Sequence, residues 1–152
     1  MMRWGNRGLL WKRESGSVDR MIEYSIALCS ESLKEHDLLR HSQMWYDVAM
    51  LQRDVVAIQI VPDCISLSTL HEKKQSILEY ICDTNDAMSV SSIRHRLMES
   101  IAFSSAISWL YGFGDRHLDN IMISKDATVF HIDFGFCFGR EPKIGVPRIR
   151  IT

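Results

Sequence analysis

The sequence has little of what marks the unusual protein classes. Three prolines and eight glycines in 152 residues, with 46% hydrophobic and 24% charged residues, exclude a collagen-like or disordered chain. No apolar run approaches the roughly 20 residues that a bilayer-spanning helix needs. Neither sign of charge is in excess: 18 Lys and Arg stand against 19 Asp and Glu, a formal net charge of −1. Nothing therefore draws the whole chain to nucleic acid or to an anionic surface, and any such attraction has to be local. Cysteine is sparse. Cys29, Cys64, Cys82 and Cys137 lack metal-ligand or disulfide-scaffold spacing and read as packed free thiols in a reducing compartment. The opening MMRWGNRGLL lacks the apolar core of a signal peptide and the end lacks a lipidation box, so the expected location is cytoplasmic.

What is present begins with periodicity. Gly5, Gly8 and Gly16 bracket a short strand over residues 9–11. Val18, Met21, Ile22, Ile26, Cys29 and Leu33 recur at helical spacing and predict an amphipathic helix over 18–38. Residues 45–50 and 55–61 are apolar and β-branched around the polar turn Gln52, Arg53, Asp54, which predicts a hairpin ended by Pro62. The second half reads as mainly helical, with a weak helix over 73–81 and a polar connection over 83–92. A long helix over 93–111 follows, apolar around most of its circumference and so expected at the centre of a core. Trp4, Trp11, Trp45 and Trp109 read as core or interface anchors. Two short strands, 121–123 and 128–132, flank Lys125, Asp126 and Ala127.

The chemistry concentrates in GDRHLDNIMISKDATVFHIDFG, residues 114–135. Asp115, Arg116, His117, Asp119 and Asn120 fall where the long helix has just ended, and Asp133 follows the second strand. A hairpin centred between Asp126 and Ala127 places Asn120 opposite Asp133, with Cβ atoms about 5 Å apart. An amide oxygen and a carboxylate in that relation suit a hard cation such as Mg²⁺, which takes oxygen ligands and bridges to phosphates. Asp115 and His117, in the same turn, are suited to position an attacking hydroxyl or to take its proton. Acidic and amide residues also cluster in turns for backbone reasons alone, but turn chemistry does not require a second carboxylate at that register. His131 reads as a structural histidine hydrogen-bonding within the loop, and His36, His41, His71 and His95 as surface residues.

GDRHLDNIMI followed by FHIDFG resembles the catalytic loop and magnesium-binding motif of the phosphatidylinositol 3- and 4-kinases and their protein-kinase-like relatives. The segment DFGFCFGREPKIGVPRIRIT most resembles the short activation loop of the class III phosphatidylinositol 3-kinases, with Phe136 where users of phosphorylated lipids carry a histidine. AIQIVP, residues 57–62, is similar to the hinge that binds adenine, with Ile58 as the central backbone contact and Ile60 beside it. Tyr46 resembles the tyrosine lining the nucleotide pocket. LLWK is similar to the strand ending in the phosphate-binding lysine, here Lys12, and Asp19 to the acid at the start of the next helix.

The resemblance implies an α/β (α+β), two-lobed kinase-like fold in part: a truncated N-lobe sheet over residues 1–61 and a mainly helical C-lobe over 62–152. It implies ATP with Mg²⁺, or Mn²⁺ in its place, and transfer of the γ-phosphoryl group to the inositol 3-hydroxyl of phosphatidylinositol. Asp115, His117, Asn120 and Asp133 would be catalytic, with Asn120 and Asp133 holding the metal and Arg116 bracing the loop. Lys12, Asp19, Tyr46, Ile58 and Ile60 would bind ATP, and Arg140, Lys143, Arg148 and Arg150 would meet the lipid headgroup. Implied partners are phosphatidylinositol in endosomal or other internal membranes and regulatory protein subunits, without nucleic acid. The phosphate-covering loop before Lys12 and the helices after the activation loop have no counterpart in these 152 residues, so a central slice of a kinase domain, feeble alone, is expected. An inactive kinase-like scaffold, or a 4-kinase or protein-kinase-like relative, shares the same motifs.

Overall fold

A computed structural model describes residues 8–140. They form two compact units that divide between Cys64 and Ile65. In the first, β1 (Leu9–Lys12), β2 (Val48–Gln52) and β3 (Val55–Gln59) make an antiparallel sheet in the order β1-β3-β2, beside α1 (Ser17–Glu35). Gly16 precedes α1 because the chain passes close to β3 there: a Cβ would run into the Val56 side chain. Ile22 and Ile26, one turn apart, are buried on the same helix face as Asp19, Glu23 and Ser30. Two of those polar side chains dock the segment before β2. Ser30 Oγ accepts from Gln43 N (2.9 Å) and Glu23 Oε2 accepts from Tyr46 N (2.9 Å).

The second unit carries α2 (Leu67–Glu72), α3 (Ile77–Thr84), α4 (Val90–Leu110), and a sheet of order β4-β5-β6 from β4 (Cys64–Ser66), β5 (Ile121–Ser124) and β6 (Val129–His131). Leu70, Ile81, Ile93, Ile123 and Ala127 form its buried core. The helix expected over 73–81 is α3, which starts four residues later at Ile77, and α2, which the periodicity does not predict, ends just before residue 73. Ser66 caps α2, a Ser76–Glu79 capping box opens α3, and Lys74 between them sits at φ 53°.

The long helix is not enclosed. Ile93, Ser100, Phe103, Ser104 and Ile107 are its buried residues, while Met98, Ile101, Leu110 and Trp109 (84% exposed) face solvent. Trp11 and Trp45 are exposed as well, which removes the core half of the expectation that these tryptophans are core or interface anchors; Trp4 lies outside the described residues. All four cysteines are free. Among the described residues no helix is long and apolar enough to cross a membrane.

The β5–β6 hairpin pairs Ile121 with His131 and Ile123 with Val129, so it centres on Asp126 rather than between Asp126 and Ala127. The physical cause is a three-residue loop. Ala127 N donates to Ser124 O (3.1 Å), Ala127 adopts φ 60°, and Ser124 N donates to Thr128 O (3.0 Å). A tight turn followed by a left-handed residue is a standard hairpin closure, and it shifts the register by one relative to a two-residue turn.

Candidate active site

After α4 the chain turns through Gly112 at φ 57°, where a Cβ would sit 3.1 Å from Gly139 N, so both the backbone angle and the space call for glycine. The loop that follows is stitched to the segment after Asp133. Gly114 N donates to Phe136 O (2.6 Å) and Phe138 N to Tyr111 O (2.7 Å). Phe113 and the fully buried Phe134 pack with ring centroids 4.8 Å apart and anchor both segments.

Arg116 spans the two segments. Its Nε donates to Gly114 O (2.7 Å), Nη1 to Ile132 O (2.9 Å) and Nη2 to Asp133 O. The guanidinium also lies 5.7 Å from the Phe113 centroid and 5.9 Å from that of Phe134. A rigid planar fork that spends its donors on three carbonyls ties the 114–120 loop to the backbone at Asp133.

Asp115 takes φ 53°, and beyond it a single 3₁₀ turn (Leu118–Asn120) is closed by Asn120 N donating to His117 O (2.9 Å). Asn120 is buried; its Nδ2 donates to Asp115 O (3.0 Å) and lies 3.2 Å from His117 Nε2. His117, half exposed, has Asp119 Oδ2 3.4 Å from Nδ1 and Asp115 Oδ2 3.9 Å from Nε2. Asp115, His117 and Asn120 thus come together within six residues. The sequence places Asp119 in this cluster without giving it a role, although its spacing of two from His117 in a tight turn is a usable signal.

Asp133 is exposed, at φ 60°, with Oδ1 accepting from Gly135 N (3.3 Å). The expected direct pairing of Asn120 with Asp133 is corrected by the register: Ile132 stands opposite Asn120 and donates its N–H to Asn120 O (3.1 Å). Asp133 follows one residue later, where the positive φ takes the chain out of strand geometry. Among the described residues no group of three or more His, Cys, Asp or Glu is arranged as a metal site.

His131 hydrogen-bonds to the Ser104 backbone on α4 and packs edge-on against Phe113, centroids 5.5 Å apart, while its Nδ1 is buried without a hydrogen-bond partner. Burial, and then the neighbouring Arg116 charge, push it down to about 4, against the opposing effect of the Ser104 bond. A neutral, structural histidine results, tied to the long helix rather than to the 114–120 loop.

In the first unit, Lys12 ends β1 with Nζ 3.2 Å from Glu14 Oε1, Asp19 is buried in the first turn of α1, and Tyr46 is buried against Glu23. Ile58 needs a correction. Ile60 N donates to Gly8 O (2.9 Å), and the alternation of an antiparallel ladder makes Leu10 and Ile58 the next hydrogen-bonded pair. The backbone groups of Ile58 are therefore used inside the sheet, within β3. Arg140 is exposed; Lys143, Arg148 and Arg150 lie outside the described residues.

The chain is α+β, with an Asp-Arg-His loop braced against an Asp-Phe-Gly segment. It belongs to the phosphatidylinositol 3- and 4-kinase family, whose family model matches residues 68–150. Similar proteins include phosphatidylinositol 3-kinase pik3 of Schizosaccharomyces pombe, 30% identical over 142 residues covering 88% of this chain and 18% of that protein. Phosphatidylinositol 3-kinase VPS34 of Saccharomyces cerevisiae is 29% identical over 139 residues, 88% of this chain and 16% of its own length. The phosphatidylinositol 3-kinase catalytic subunit type 3 of Caenorhabditis elegans is 44% identical over 55 residues, 36% of this chain and 6% of its length. The chain spans under a fifth of the length of these relatives.

Proposed function

We propose that this chain carries the catalytic and metal-binding loops of a lipid kinase that transfers the γ-phosphoryl group of ATP to the inositol 3-hydroxyl of phosphatidylinositol. The observation that carries the reading is the Arg116 bridge. Three carbonyls held by one guanidinium keep Asp115, His117 and Asn120 in a fixed relation to the backbone at Asp133. Catalysis of phosphoryl transfer is mostly positioning and charge stabilisation, so a rigid link of this kind is what the reaction uses.

The donors fit a hard cation. Both amide hydrogens of Asn120 are directed at Asp115 O and His117 Nε2, which leaves its oxygen as the ligand end, and Asp133 offers an exposed carboxylate. Asn120 and Asp133 would hold Mg²⁺, or Mn²⁺, which when bound neutralises charge on the phosphates. His117 receives the proton of the attacking hydroxyl as the new O–P bond forms, and the electron pair of the breaking P–O bond leaves with ADP. Asp115 faces the imidazolium formed. Lys12 meets ATP phosphates, with Asp19, Tyr46 and Ile60 around the nucleotide, and Arg140, Lys143, Arg148 and Arg150 meet the headgroup. Relatives named as phosphatidylinositol 3-kinases support the 3-hydroxyl and a phosphatidylinositol membrane, internal or endosomal, with regulatory subunits as partners.

In the full-length protein, Asp133→Asn and His117→Ala should each lower kcat on phosphatidylinositol vesicles by roughly 10² to 10⁴. Chromatography of the product against 3- and 4-phosphate standards tests the position of transfer. Full activity in Asp133→Asn would remove the metal assignment, and a 4-phosphate product would make the protein a 4-kinase.

A further inference from the structure

We infer that Glu23 is a positioning residue of the nucleotide pocket: from the buried face of α1 it holds Tyr46 in place and so governs how tightly ATP is bound. The inference rests on the reading of Tyr46 as a residue beside the nucleotide. Glu23 is 3% exposed, and its Oε2 accepts from Tyr46 N (2.9 Å). The Tyr46 side chain hydrogen-bonds to the same carboxyl. One buried acid thus fixes both the backbone and the phenol of a residue that is itself 3% exposed. A ring so enclosed can offer a ligand only an edge, and a small displacement of its backbone then changes how much of it a nucleotide meets.

Packing does not call for an acid here. Ile22 and Ile26 share the buried face, and an apolar residue at 23 would continue it while leaving the Tyr46 N–H without its acceptor. Attachment of the segment does not call for one either, because Ser30 Oγ, two turns along α1, already accepts from Gln43 N (2.9 Å). The titratable groups that bear on Glu23 are Asp19, one turn back on α1, and Tyr46 and Asp47 on the segment packed against it. Burial, opposed by the Tyr46 N–H, and then the charges of Asp19 and Asp47 keep its carboxyl well above the usual range. The neutral acid keeps an oxygen for Tyr46 N. Once ionised it is a third negative charge beside Asp19 and Asp47, and that repulsion is relieved by letting Tyr46 and Asp47 move away from α1. A raised pKa makes the neutral hold complete in acid and lost as pH climbs through it, so ATP binding weakens with rising pH.

The test uses the full-length protein, with kcat and KM for ATP measured on phosphatidylinositol vesicles. At about pH 6, Glu23→Ala should raise KM for ATP about three- to tenfold with kcat within about twofold, the mark of lost binding rather than lost chemistry. Glu23→Gln keeps an acceptor for Tyr46 N and cannot ionise, and should hold KM at the parent value. Ser30→Ala cuts the other tether and should lower the urea midpoint without moving KM. Between about pH 6 and 9, the KM of the parent should climb relative to that of Glu23→Gln. That comparison stays decisive if Glu23→Ala does not fold. A parent KM in Glu23→Ala, a rise that Gln does not rescue, an equal rise in Ser30→Ala, or one pH dependence shared by the parent and Glu23→Gln would each overturn the inference. Tyr46→Ala separates it from the reading beneath it. A raised KM there beside an unmoved KM in Glu23→Ala would overturn the positioning role alone, whereas a parent KM in Tyr46→Ala would also remove Tyr46 from the nucleotide.

Discussion

Glu23, buried, and His131, partly buried, are ionisable groups whose neutral forms are favoured by folding, and they make stability respond to pH in opposite directions. The His131 pKa falls to about 4 when folded, from an ordinary 6.5, chiefly through burial and then through Arg116. The unfolded chain therefore binds more protons between those values, and stability declines as pH falls through that window, by up to about 3 kcal/mol. His131→Phe, which keeps a ring against Phe113 and removes the unpaired nitrogen, should make the decline between pH 6.5 and 4 shallower in urea titrations, while forgoing the Ser104 bond. An unchanged acid slope would show that His131 is not its source. Glu23 is raised well above the usual carboxylate range, first by burial, against the Tyr46 N–H it accepts, with Asp19 adding to the rise. A raised folded pKa means stability that is complete in acid and lost as pH climbs past the unfolded value. Glu23→Gln keeps an oxygen for Tyr46 and should raise the urea midpoint at pH 7, with the gain fading toward pH 4.

Between elements, a buried serine ties α4 to β6. Ser100 is fully buried, and its hydroxyl donates to Val129 O (3.2 Å) and accepts from Val129 N (2.8 Å), so one side chain satisfies both backbone groups of a strand residue. Ser100→Ala would leave two buried groups without partners, each costing about 1–3 kcal/mol, and should lower stability by roughly 2–4 kcal/mol in thermal or urea melts. A loss under about 0.5 kcal/mol would mean that another group or a water takes over. This contact also explains what the sequence concealed. Helical periodicity located α4 to within a few residues, and the polar turns around Arg53 and Asp126 located the hairpins, because those signals are local. Which face of α4 is buried was not legible, since the serines Ser100 and Ser104 face inward, Ser100 serving the backbone of β6, while Trp109 and Leu110 face outward. The hairpin register was missed by one for a similar reason: alanine is not an expected residue at positive φ, yet Ala127 is buried there and closes a three-residue loop. The residues of the 115–120 turn were legible because their spacing is set by one tight turn, whereas their relation to Asp133 depended on that register.

At the scale of the whole molecule, choice of lipid depends on how many cations can surround the inositol phosphates. An additional phosphate that leaves water without its own cationic partner loses hydration and recovers no charge-assisted hydrogen bonds. Within residues 136–152 the cations are Arg140, Lys143, Arg148 and Arg150, interrupted by Glu141, Pro142 and Pro147. Phe136, whose carbonyl is fixed on Gly114 N at the start of the catalytic loop, presents a neutral ring where the resemblance places a histidine in users of phosphorylated lipids. The full-length protein should therefore accept phosphatidylinositol and discriminate against its 4,5-bisphosphate. Matched vesicles of the two lipids, compared by kcat/KM, should differ by about tenfold or more, the value of one missing charge-assisted contact of roughly 1.5–3 kcal/mol. Phe136→His should narrow the difference by raising kcat/KM on the bisphosphate more than on phosphatidylinositol. Equal efficiency on both lipids in the unaltered protein would sink the class III reading, and would leave the roles of Asp115, His117 and Asn120 untouched, because those concern the hydroxyl and the transferring phosphoryl group rather than the rest of the headgroup.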